Sequence, residues 1–348
     1  MNSEMKNITL CAAFAAILIT VSCKGTLETD NLGGKVRLTV DLPGLVDCET
    51  RVTGQTENSE IAISNCQIFV FRADNGMLDA CSYEASLQKN GLHSVSLDCT
   101  VGQRRIYAVV NAAVDYTATI HDEEAFKAVT TDLKDNAANA LLMTGSATST
   151  LTEGACSVSV SVKRAAASVI LQKISVDMDA PAYRGAGLFK VEKIYLLNVC
   201  GRTNLALDMP PSDIPEEYWY AKLQEETDAE KKKLIADDLA SALTIENGTS
   251  SDIRYSFYAY PNNCPHSVSS TFSQRATLLV VEARLDGEKY YYPFQFESLR
   301  SNSRYIISNL TVHRPGSSSP YEPVLFSTAS ANVTVAGWDE GARRDVEI

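Results

Sequence analysis

The sequence predicts a mainly β protein, built as two tandem β-sandwich domains with short helical insertions. Three observations lead there. Apolar residues recur with a period of two along most of the chain, turn residues break the alternation at short intervals, and only two segments carry helical spacing. The 348 residues, 45% of them hydrophobic, are enough for two ordinary domains.

The first strand is the clearest. In KVRLTVDL, Val36, Leu38, Val40 and Leu42 alternate with Arg37, Thr39 and Asp41, the pattern of a half-buried strand. Ile61 to Arg72 (IAISNCQIFVFR) is apolar on both faces, as expected of a central strand. Ala73 to Gly76 follows as a turn in which Asn75-Gly76 supplies two positive-φ positions, and Asp286-Gly287 supplies a second hairpin turn between LLVVEARL and EKYYYPF. RRIYAVVNAA, CSVSVSV, SVILQKISV, KVEKIYLLNV, IRYSFYAY and RYIISNLTV continue the strand pattern. Asp122 to Met143 reads as a helix with an acidic first turn, and Pro215 to Ala240 as a solvated helix with a lysine-rich middle. A break near Lys163 to Ser168 (KRAAAS) divides the chain into domains 23–163 and 164–348.

Residues 1–22 read as an export signal. Lys6 precedes the apolar run Ile8 to Val21, which at about 14 residues is short of the ~20 that span a bilayer and suits a signal h-region. The run ends at Thr20-Val21-Ser22-Cys23. This resembles a bacterial lipobox, with Thr20 standing where leucine is usual, and implies that Cys23 is acylated, becomes the mature N-terminus and anchors the chain in the outer membrane.

The formal net charge of −12 gives no electrostatic reason to bind nucleic acid. Of nine cysteines, Cys11 leaves with the signal and Cys23 is the lipid site; the other seven contain no C-x-x-C pair and no nearby histidine, so no metal is expected, and they read mostly as buried free thiols, with a disulfide among them left open. His93, His121, His266 and His313 lie beside turn residues and read as solvated. Acidic residues at His121 to Glu124 are accounted for by a helix N-terminus. There is no G-x-S-x-G or H-E-x-x-H motif, and neither an enzyme nor a cofactor is expected.

Several motifs, in order over most of the chain, resemble the Bacteroidales fimbrillins, lipoprotein-derived subunits of the major and minor fimbriae. They are TRVTGQTENSEIAISNCQIFVF (Thr50 to Phe71), ANALLMTGSAT, VKRAAASVILQKI with FKVEKIYLLNV, FYAYPNN (Phe257 to Asn263), YYYPFQFESLRSNSRYIISNLTVHRPGSSSP (Tyr290 to Pro320) and VTVAGW (Val333 to Trp338). The resemblance implies transthyretin-like sandwiches and export as a lipoprotein to the cell surface. It also implies cleavage by an Arg-specific protease in the loop after the first strand, and polymerisation by donor-strand exchange to form an adhesive fimbria.

Carried onto this sequence, the scissile bond is Arg51-Val52 and the propeptide is 23–51. The removable strand presents Val36, Leu38, Val40 and Leu42. The C-terminal donor strand presents Val333 and Val335 on one face and Val346 and Ile348 on another stretch. The implied partners are other fimbrial subunits, the protease, the outer membrane, and a host surface protein or glycan. The competing reading is a tip subunit or a monomeric surface lipoprotein that grips host protein or glycan, for which Tyr218-Trp219-Tyr220 is a candidate patch.

Overall fold

A computed structural model describes residues 34–42, 62–87, 89–90, 93–222, 224–263, 275–322, 329–337 and 345–346. Cys23, Arg51, Val52 and Ile348 lie outside the described residues, and of Val346 only the backbone is described.

The first sandwich is built from two sheets. A three-stranded sheet places β1 (Lys35–Leu42) between β8 (Gly154–Ser159) and β4 (His93–Thr100). A five-stranded sheet runs β9 (Lys163–Arg164), β7 (Met143–Leu151), β5 (Gly102–Val110), β2 (Cys66–Arg72), β3 (Leu78–Glu84). The two sheets close on a shared apolar core in which β1 and β4 face Ile68, Val70, Ile106 and Ala108. Burial of β2 on both faces follows from its run of apolar residues: Ile68 and Val70 enter this core, while Phe69 and Phe71 point the other way and meet Phe126 edge-on.

The second sandwich repeats the scheme. One sheet runs β14 (Thr249–Ala259), β10 (Ala167–Val176), β17 (Ser303–Val312), β18 (Ala329–Gly337), β19 (Asp345–Val346), and the other runs β13 (Ala236–Ile245), β11 (Phe189–Leu197), β15 (Leu278–Leu285), β16 (Glu288–Gln295). The chain passes from the first sandwich to the second between β9 and β10 through the buried Ala165 and Ala166. Phe69, Phe71, Phe126 and Leu133 from the first half share one apolar cluster with the core of the second.

Both predicted helices are corrected. Within Asp122 to Met143 the helix α1 is confined to Glu123–Ala128, capped by the Asp122 side chain accepting from Ala125 N at 2.7 Å. The chain then forms β6 (Thr130–Asp132), which pairs with β12 (Arg202–Asn204), and a single 3-10 turn at Leu133–Asp135. The two threonines and the partner strand outweigh local helix preference there. Within Pro215 to Ala240 the helix α2 is only Ala229–Lys232; Trp219 and Tyr220 pair with Val199 and Cys200, and β13 begins at Ala236. The lysine run spends its charge locally, on Glu225, Glu230 and Asp238.

The turns differ in detail. At Asn75-Gly76 only Gly76 takes positive φ (+73°), because the Asn75 side chain accepts from Met77 N at 3.0 Å and holds its own backbone in the ordinary region. At Asp286-Gly287 both residues take positive φ (+51° and +84°), the two-residue hairpin geometry.

Candidate functional site

The removable strand of the sequence reading, β1, is the centre of the three-stranded sheet. Its four apolar side chains are at most 1% exposed. It runs parallel to β8 and antiparallel to β4, so Leu38 stands between Cys156 and Leu97, and Val40 between Val158 and Val95. Neither neighbour is linked to it by a hairpin; β1 is joined to the described fold only through residues 43–61. Removing it would leave two facing rows of unpaired backbone N–H and C=O groups beside an empty apolar slot.

Thiols line this slot. Cys99 sits opposite Val36 on one wall and Cys156 opposite Leu38 on the other. Burial pushes the Cys99 thiol up to about 12, and Cys66, deeper in the same core, is likewise raised to about 12 by burial. Cys66, Cys81, Cys99 and Cys156 are free thiols.

The solvent face of β1 is polar and matched. Arg37 Nη1 lies 2.9 Å from Asp98 Oδ1 on β4. Thr39 Oγ1 is 3.3 Å from Ser96 Oγ. Asp41 accepts from both walls at once, from Ser94 Oγ on β4 and Ser157 Oγ on β8, each at 2.6 Å. Those two hydroxyls, first Ser157 and then Ser94, hold the Asp41 carboxyl below its usual range.

His93 was expected in a solvated loop and is instead buried, opposite Leu42 at the end of the slot, with Nε2 2.9 Å from Glu84 Oε2. The alternation His93-Val95-Leu97-Cys99 carries the signal that places it in a strand. His121 is exposed, and His313 Nδ1 is 2.9 Å from the Asp177 carbonyl.

At the other end of the fold, β18 carries Val333 and Val335. Val333 is 5% exposed and Val335 40%, and both line an open groove of about 430 Å3 with Phe294, Phe296 and Tyr305. β19 holds to β18 at two register positions, Val333 with Val346 and Thr334 with Asp345.

Tyr218-Trp219-Tyr220 does not form a surface patch. Trp219 and Tyr220 are buried, and the Tyr218 ring lies 3.1 Å under the Arg202 guanidinium. The cluster belongs to the seam between the sandwiches, where Arg202 Nε donates to Asp132 Oδ1 at 2.7 Å and Asn136 Nδ2 donates to Tyr260 OH at 3.0 Å. Glu123, the acidic residue at the start of α1, is taken up by Tyr107, Lys127 and Arg105. Among the described residues no group of three or more His, Cys, Asp or Glu side chains could hold a metal ion, and no helix is long and apolar enough to cross a membrane.

Residues 35–170 match the family described as major fimbrial subunit protein (FimA). The resemblance to the fimbrillins holds. The matched region begins at the first residue of β1 and ends inside β10, so it spans the whole first sandwich. Solved structures share the fold over nearly the full length. A candidate cell adhesion protein from Bacteroides eggerthii is 20% identical, with 88% of this chain and 97% of that one covered and a TM-score of 0.65. A fimbrilin from Porphyromonas gingivalis is 17% identical, with 86% and 97% covered and a TM-score of 0.59. The tip fimbrial protein Mfa3 of the same organism, with a C-terminal truncation, is 13% identical, with 87% and 100% covered and a TM-score of 0.54. No curated protein matches the sequence. The chain thus shares its fold with solved fimbrial and cell adhesion proteins, and its first sandwich matches the major fimbrial subunit family.

Proposed function

We propose that this fimbrillin-like chain is a structural subunit of a cell-surface adhesive fimbria, exported as a lipoprotein through Cys23 and assembled by strand exchange. The observation that carries the reading is the placement of β1: its apolar face is fully buried, it is central in its sheet, and it is tied to the rest of the described fold by one connection that contains Arg51. A cut at Arg51-Val52 by an Arg-specific protease turns β1 into a strand held only by non-covalent contacts. Its four apolar side chains contribute roughly 1.5–3 kcal/mol each, so it stays until a competing strand replaces it. The donor is a C-terminal strand of a neighbouring subunit, which supplies backbone hydrogen bonds and alternate apolar side chains together.

This chain's own donor is the segment from Val333 and Val335 to Val346 and Ile348. The two-position hold of β19 on β18 makes its release inexpensive. A place at the tip is the second reading, favoured by the likeness to a tip protein over 87% of the chain.

N-terminal sequencing of the surface protein tests the scheme, with an acylated Cys23 expected before processing and Val52 after it. If Arg51→Ala protein is still processed and still polymerises, the assignment of the cut is wrong. Deleting Asp345 to Ile348 is expected to weaken assembly without unfolding the monomer, and an unchanged oligomer ladder removes the tail as donor.

A further inference from the structure

The backbone of the β1 slot does not determine which way round an incoming strand lies. β1 is parallel to β8 and antiparallel to β4, so a reversed strand would simply exchange its parallel and antiparallel neighbours. The apolar face does not determine it either, because a period of two reads the same in both directions. A slip of two residues also keeps apolar side chains inward. Direction and register must come from the solvent face.

That face carries two unlike hooks. Toward the start of the slot, Asp98 on β4 takes the Arg37 guanidinium at 2.9 Å. Toward its end, the hydroxyls of Ser94 and Ser157, one on each wall, converge on Asp41 at 2.6 Å. Reversal brings an acid to Asp98 and takes the acceptor away from the two serines. A slip of two residues moves the base off Asp98 and puts Thr39 or no acceptor between the serines.

We propose that these hooks read the polarity and register of the strand that replaces β1, and that the occupant is a strand from a different fimbrial subunit. That strand carries four alternate apolar residues, a basic residue in the register of Arg37 and an acidic one in the register of Asp41. The inference rests on the strand-exchange reading above. The charge pattern of this chain's own C-terminal region argues for a different donor. In Gly341 to Ile348, Arg343 and Glu347 have the four-residue spacing of Arg37 and Asp41, but that register puts Arg344 where Leu38 enters the core, so this segment reaches both hooks only by burying an unpaired charge. In the Val333 to Val335 stretch the intervening residue is Thr334, and its flanks Asn332 and Ala336 offer neither charge.

The test uses the full chain after Arg-specific proteolysis, with fluorescent synthetic peptides competing for the slot. Three peptides are compared: Lys35 to Leu42 as it stands, the same peptide with Arg37→Asp and Asp41→Arg, and Gly341 to Ile348. The unaltered peptide is expected to be retained about five- to tenfold longer than the exchanged one, the scale of one exposed ion pair plus the two Asp41 hydrogen bonds. Protein carrying Asp98→Arg is expected to narrow or invert that preference. Equal retention of the first two peptides overturns the polarity reading while leaving strand exchange intact. Tight retention of the C-terminal peptide makes a second copy the occupant and overturns the choice of partner. If no peptide enters, strand exchange itself fails and the inference falls with it.

Discussion

Arg202 and Asp132 pair across the seam between the two sandwiches, Nε to Oδ1 at 2.7 Å and Nη2 to Oδ2 at 3.2 Å, while the same guanidinium lies over the Tyr218 ring. The pair sits on the two strands, β6 and β12, that join the halves by backbone pairing. It ties together two sandwiches that already share a continuous apolar cluster.

Asp132→Ala is therefore expected to cost about 1.5–3 kcal/mol, measured by urea unfolding, since it leaves a partly buried guanidinium without its acceptor. Arg202→Lys is not expected to restore stability to the native level, because an ammonium reproduces neither the two-pronged contact nor the ring stacking. Equal stability of Arg202→Lys and the native chain would argue against the seam as a bidentate clamp.

Gly201→Ala is expected to be more damaging. A methyl there meets the Tyr220 ring and stands 2.7 Å from the Tyr218 carbonyl oxygen, both held in the seam. The ring cannot swing away, since it is fully buried, so the loss is expected to reach about 2–4 kcal/mol with a lowered thermal midpoint.

Leu38→Ala tests the hold of β1. The side chain is 0% exposed in the first core, and truncation is expected to cost about 2–5 kcal/mol. If β1 is the strand displaced in assembly, the same variant polymerises faster after proteolysis, and a slower rate would count against that role.

Acid is expected to loosen the first sandwich. Burial alone would raise the Asp79 carboxyl, but hydrogen bonds from Thr100 and Arg104 outweigh it and hold it below the usual carboxylate range. For Glu123 burial again pushes up, and Tyr107, Lys127 and Arg105 bring it down. A depressed carboxyl contributes stability that is present above its unfolded value and lost as pH falls through the folded one. The decline is thus expected below about pH 4. Asp79→Asn should lower stability at neutral pH and flatten that acid limb in a pH series of unfolding midpoints.

Thiol labelling with mapping by mass spectrometry reports on β1 directly. Cys66 and Cys99, both raised to about 12 by burial, are expected to stay unmodified in the intact chain at pH 8. Cys99 is expected to react once β1 is displaced and not replaced, since Val36 of β1 stands directly opposite it. Rapid labelling of Cys99 in the intact chain would mean that β1 opens on its own.

The period-two alternation by itself determined that this is a sandwich protein, and that Val36, Leu38, Val40 and Leu42 enter a core, because side-chain alternation is a property of the strand alone. Asp286-Gly287 was equally legible, since both conformations are local. The tertiary structure decided what sequence spacing could not. Helical spacing at Asp122 to Met143 gave way to β6 because a partner far along the chain, Arg202–Asn204, supplied its hydrogen bonds. The cluster Tyr218-Trp219-Tyr220 was buried by a seam that forms only when two sandwiches meet. Above all, nothing in KVRLTVDL says that its neighbours lie at His93–Thr100 and Gly154–Ser159, or that one runs parallel and the other antiparallel. Those long-range pairings place Asp98, Ser94 and Ser157 around Arg37 and Asp41, and so make an ordinary amphipathic strand a plug with a direction.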